Sequence, residues 1–167
     1  MASDNRLHHR LDDLERRVGA LEARPSAPGD PAFETELWAL EGLAARAPEP
    51  GAVMLVGDVR LPDGRVAQWQ EGALTGDLVD GDWEAVGDVL AALGHPVRLR
   101  LLQQVLRGAA TAQELTAVEG VGTTGQVYHH LRQLVAAGWL RPLGGGRHEV
   151  PVARVVPLLA VLLGARR

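Results

Sequence analysis

A run of hydrogen-bonding side chains between Thr123 and Gln133 is the part of this sequence best equipped to act on another molecule. At about 100° per residue, a helix over 124–137 puts Val127, Leu131 and Leu134 on one stripe. Gly125, His129 and Arg132 fall on the opposite stripe, with Gln126, Tyr128 and Gln133 at its margins, and no acid interrupts it. Arg pairs in bidentate fashion with guanine and Gln with adenine, so such a face suits the major groove of duplex DNA. The candidate contacts are Thr123, Thr124, Gln126, Tyr128, His129, Arg132 and Gln133, with Arg132 and Gln133 as base readers and Gln126 shared between a helix cap and DNA. Arg147, beside Gly144, Gly145 and Gly146, is a candidate phosphate contact, which positions a protein without reading sequence. The plainer alternative for the helix is an ordinary solvated face. It leaves unexplained why an acid-free face coincides with the start signals described below.

Other chemistries lack their residues. The chain has no cysteine, which removes disulfides, thiolate metal sites and cysteine nucleophiles together and suits a reducing cytosol. No Gly-x-Ser-x-Gly elbow occurs, and the glycines at 144–146 precede a strand, whereas a phosphate-cradling loop opens a helix. Six histidines invite a metal reading, but His8 and His9 are adjacent and diverge by about 100° on a helix. His95 is better placed as a cap beside Pro96, His130 flanks the core stripe and His129 faces outward. Neither a catalytic site, a metal site nor a cofactor is implied.

The elements that must hold the polar face carry their own signals. Thr111-Ala112-Gln113-Glu114 and Thr123-Thr124-Gly125-Gln126 are capping boxes, in which a hydroxyl and a longer side chain satisfy orphaned backbone donors at a helix start. Between them Glu119-Gly120-Val121-Gly122 makes a tight turn, so the pattern is helix-turn-helix, with Gly138 ending the second helix. Upstream, helical periodicity runs from Trp83 to Leu93. Gly94, His95 and Pro96 then end one helix and start another carrying Leu99, Leu102 and Leu106. Downstream, Trp139 to Leu143, the glycine tip and Arg147 to Val150 read as strand, tip and strand, the wing of a winged helix.

Taken in order, Ala92 to Leu102, Thr111 to Leu115, Val127 to Leu131 and Gly138-Trp139-Leu140 resemble the ArsR-type winged-helix transcriptional regulators, over roughly residues 83–163. The resemblance implies a DNA-binding dimer in which the helix at 124–137 enters the major groove and terminal helices build the interface. The chain departs from the metal-sensing members, having no cysteine and no acidic-plus-histidine pattern in 151–167.

The remainder of the 167 residues divides by composition. Leu7, Leu11, Leu14, Val18 and Leu21 form a heptad seam, predicting a coiled-coil helix over 1–24, with a single amphipathic helix lying on the body as the alternative. Prolines and glycine at 25–32 make a linker. A helix over 33–46 and a hairpin over 53–70, turning at Pro62-Asp63-Gly64, form a module at 33–82, distinct from the winged helix at 83–167. A lone hairpin is marginal in water, so it is expected to lie on the helix at 33–46 or on a dimer mate, leaving a groove with Trp38 and Trp69.

The chain has no lysine, and all 17 of its Lys and Arg residues are Arg. Residues 1–24 balance five against five acids, 25–82 have three Arg against eleven acids, and 83–167 have nine Arg against five. A basic C-terminal half suits phosphate, whereas the acidic middle repels it. The expected fold is α+β: a mainly helical winged helix-turn-helix domain, an N-terminal coiled-coil helix and a separate β-hairpin segment. The expected function is a sequence-specific, cytoplasmic DNA-binding regulator acting as a homodimer, without a membrane partner. Residues 33–82 serve a protein partner or small effector, or simply brace the dimer. The competing reading is a winged-helix protein-interaction module whose acidic middle segment binds a basic partner surface.

Overall fold

The computed structural model describes Arg16, residues 37–109 and residues 111–166; the apolar seam positions at 7–21 and the linker at 25–32 lie outside the described residues. The chain forms two compact units, residues 1–46 and 47–167. In the first, α1 (Trp38–Ala44) is the described part of the helix expected over 33–46, and it buries none of its residues.

The second unit holds every buried residue among those described, in a mainly helical α+β arrangement. It opens with an antiparallel hairpin of β1 (Ala52–Arg60) and β2 (Val66–Leu74), paired in register from Ala52 with Leu74 to Arg60 with Val66. The second strand runs four residues past the expected end at 70. Gly64, at φ +84°, supplies the left-handed residue of the turn, and the Asp63 carboxylate accepts from Arg65 N (3.0 Å) and Nε (2.8 Å).

One expectation about this hairpin is corrected: it lies on the C-terminal helix α7 (Val152–Gly164) and shares one core with the winged helix, so it is not a separate segment. Gly57 lies so close to that helix that a Cβ on it would stand 2.5 Å from Val156 Cγ1. Leu61 and Ala67 join the same core as Val155, Val156 and Leu158. Arg65 locks the contact, its Nη1 donating to Glu149 (2.9 Å) and to the Val150 carbonyl (3.0 Å). The cause is that α7 is apolar almost all round, so the winged-helix core covers only part of it and a sheet face can cover a further part.

After β2 come α2 (Thr75–Val79), a 3₁₀ turn (Glu84–Val86) and α3 (Gly87–Ala91), so the single helix expected from Trp83 to Leu93 is divided. Trp83 remains 70% exposed, its indole donating to the Leu78 carbonyl at 2.6 Å. The winged helix follows as α4 (Pro96–Leu106), α5 (Ala112–Thr116), α6 (Thr124–Ala136), β3 (Arg141–Gly144), β4 (Arg147–Glu149) and α7. Its core gathers Leu101 and Leu102 of α4, Leu115 of α5, Leu131 and Leu134 of α6 and Leu158 of α7, each 1% exposed or less. Trp139 is buried beside them, its Nε1 donating to the Val89 carbonyl (2.8 Å) under the Arg154 guanidinium. Among the described residues no helix is long and apolar enough to cross a membrane.

Candidate nucleic-acid interface

Each helix of the motif starts where its cap places it. His95 Nδ1 accepts from Val97 N (3.2 Å) with Pro96 in the first turn of α4, which puts the proline where its missing donor costs nothing. At α5, Glu114 N donates to Thr111 Oγ1 (3.2 Å) and Thr111 N donates to Glu114 Oε2 (2.8 Å). At α6, Gln126 N donates to Thr123 Oγ1 (3.4 Å) and Thr123 N donates to Gln126 Oε1 (2.8 Å). Both capping boxes are therefore formed as the sequence spacing predicts. The turn between these helices is longer than expected, because α5 stops at Thr116. Val121 plugs the core from it at 2% exposure, flanked by Gly120 and Gly122 at φ +74° and +90°. Arg100 of α4 pins it further, donating to the Glu119 carbonyl at 2.8 Å.

Anchoring α6 by Val127, Leu131 and Leu134 turns its other side to solvent. Thr123, Thr124, Gln126, Tyr128, His129, Arg132 and Gln133 are all exposed, and no acid lies among them. They are not equally free. Thr123 and Gln126 are occupied with each other in the capping box. Gln133 is drawn toward α4, where Arg98 Nη1 donates to its Oε1 at 2.7 Å. Arg98 is itself held by the carbonyls of Ala92 (2.5 Å) and Ala91 (2.8 Å). Arg132, with Thr124, Tyr128 and His129, is left as the uncommitted donor set. Sequence spacing could not reveal the Arg98 contact, since the partners are 35 residues apart.

His130 sits at the edge of the buried stripe, as its position on the helical wheel suggests, with Nδ1 buried and unpartnered. Its ring lies 4.6 Å from that of His95 and 5.7 Å from that of His129. Burial holds its pKa below the ordinary histidine value, and the nearby charges of His95, Arg98 and His129 push the same way. Among the described residues no group of three or more His, Asp or Glu side chains is arranged to hold a metal ion.

The wing forms as expected, with Gly144, Gly145 and Gly146 all at positive φ in its tip and a bulge between Pro142 and Gly144. Sequence reading missed how it is attached. Ala112 N donates to the Gly146 carbonyl (3.0 Å) and Thr111 bridges Arg147, so the cap of α5 also carries the wing. Arg147 is exposed there. Arg141, also on the wing, is instead paired with Glu149.

This arrangement presents hydrogen-bond donors on the exposed face of an acid-free helix, and the wing carries the exposed Arg147 beside its glycine tip. No curated protein matches the chain. Residues 93–141, from just after α3 to the first residue of the wing, match the helix-turn-helix domain family, so the chain contains a helix-turn-helix domain over that span.

Proposed function

We propose that this chain is a sequence-specific DNA-binding transcriptional regulator of the ArsR type, which binds a pseudo-palindromic site as a dimer and inserts α6 into the major groove. The observation that carries the reading is the outward face of α6, where Arg132 stands free among hydrogen-bonding side chains with no acid among the exposed residues 122–133. Arg132 is the principal base reader, suited to guanine O6 and N7. Gln133 contributes only through the orientation that Arg98 imposes, and Gln126 acts mainly as the cap. Thr124, Tyr128 and His129 supply further contacts, and Arg147 takes a neighbouring phosphate. The interface between copies draws on α7, whose Val161, Leu162 and Leu163 are exposed.

The test is selection of random genomic duplex fragments by the full chain, followed by sequencing of what is retained. Enrichment of a two-fold-related motif supports the reading; retention that follows fragment length alone defeats it. The competing reading, a winged-helix protein-interaction module, draws on the stretch between Arg65 and Arg98, which holds six acids and no other basic residue than His95. It predicts that no fragment is retained at physiological salt.

A further inference from the structure

Two exposed apolar surfaces on the 47–167 unit carry opposite charge. The first is built by α2, the 3₁₀ turn and α3, where Leu78, Trp83, Val86 and Leu90 surround a cavity of about 450 Å³. Its charged residues are Asp77 and Asp82, with Asp80 and Glu84 exposed in the same stretch. Among the described residues none of these four carboxylates is in an ion pair. Trp83 at 70% and Val79 at 64% are among the most exposed large apolar side chains described.

The second surface is a groove of about 620 Å³ between α4 and α7. Leu99 and Leu106 form one wall and Leu159, Leu162 and Leu163 the other, and its charged residues are Arg100 and Arg166. Neither surface suits a duplex. Phosphate is repelled by the first and finds an apolar floor in the second.

We infer that these surfaces are partners across two copies of the chain: the α2–α3 surface of one copy packs into the α4–α7 groove of the other. Leu78 and Trp83 enter among Leu162 and Leu163, while Asp77 faces Arg166. Each surface supplies what the other lacks, an apolar floor to bury and a counter-charge at the rim. The rim charges set register and encounter rate more than affinity, and the buried tryptophan carries most of the energy. A two-fold axis closes both joints at once, so the contact is made twice in a dimer. This rests on the dimer proposed above and gives α7 an unlike surface, α2–α3 of the other copy, as its partner.

The test needs no DNA, so its outcome is separate from that of the binding reading. It uses the full chain with Leu11→Lys and Leu14→Lys, so that the seam at 7–21 cannot hold chains together, and follows sedimentation with circular dichroism as a folding control. In that background the parent is expected to dimerise, whereas Trp83→Ala and Leu162→Asp/Leu163→Asp each weaken association at least about 30-fold. Mixing the two variants is expected to restore a 1:1 pair, because one retains the acidic surface and the other the groove. Should either variant misfold, the surface charges give a second readout: Asp77→Arg and Arg166→Glu each weaken association, and the mixture of the two recovers it at low salt. A dimer unaffected by Trp83→Ala, or a mixture that stays monomeric, overturns the unlike contact while leaving a dimer intact. A parent that is monomeric at tens of micromolar overturns the dimer itself.

Discussion

Arg132 and His130, near neighbours on α6, are governed by opposite conditions. Arg132 has solvent around it, and under the proposed function its value lies in a contact made only with the correct base. Arg132→Ala should therefore weaken binding to the selected site by about 1–3 kcal/mol while leaving affinity for random duplex almost unchanged, as read by competition titrations. An equal loss on both would make Arg132 a phosphate contact. His130 is governed by burial, which disfavours the imidazolium. Because the folded state then binds fewer protons than the unfolded chain, the sign of the linkage is fixed. The contribution is fully present above the unfolded value of about 6.5 and is lost as pH falls through the window below it. Denaturant midpoints should drop on acidification across that window. His130→Leu should flatten the dependence, and an unchanged slope in that variant would remove His130 as its source.

The elements of the winged helix are each started by a local device, and each device has a measurable weight. Thr123→Ala removes the acceptor for Gln126 N and should cost about 1 kcal/mol of stability, detected by denaturation. It also frees Gln126, so DNA affinity per folded molecule should change by less than the loss produced by Arg132→Ala. The hairpin is held differently, by fit. Gly57→Val would drive a branched side chain into Val156 and should destabilise the unit by at least about 1–3 kcal/mol, the range for overpacking. Deleting 52–74 should do more, because it strips Leu61 and Ala67 from the core and leaves Glu149 without Arg65. On that reading the segment is a structural brace of the helix-turn-helix unit. A deletion variant with an unchanged unfolding midpoint would contradict this.

Charge is divided across the whole molecule, with an acidic middle and an Arg-rich C-terminal half on one chain. The acidic α2–α3 region belongs to the same compact unit as α6. Under the proposed function, repulsion from phosphate would orient that unit with α6 toward the duplex and the acids away from it. If the molecule binds as a two-fold dimer, its half-sites should lie one helical turn, about 10–10.5 bp, apart or a multiple of that spacing. Footprints of the retained fragments check this. Affinity should fall as salt rises, and Arg147→Ala should reduce the slope by about one counterion without changing the preferred sequence.

What could be read from the chain alone was whatever is encoded within a few residues. Thr111 with Glu114, Thr123 with Gln126, and His95 with Pro96 are spaced so that a single turn of backbone brings them together, and the structure forms all three. Leu131 and Leu134 likewise had to share the buried face of α6, because helical geometry leaves no alternative once the helix exists. Contacts between distant segments were not legible. An apolar pattern says that a face must be covered, yet many faces can cover it, so the pairing of Gly57 with Val156 and of Arg65 with Glu149 was decided by tertiary packing. The same holds in the site. Gln133 has the chemistry of a base reader, but Arg98, 35 residues earlier, claims its carbonyl oxygen, because folding α4 against α6 brings a donor-only guanidinium within reach of that acceptor.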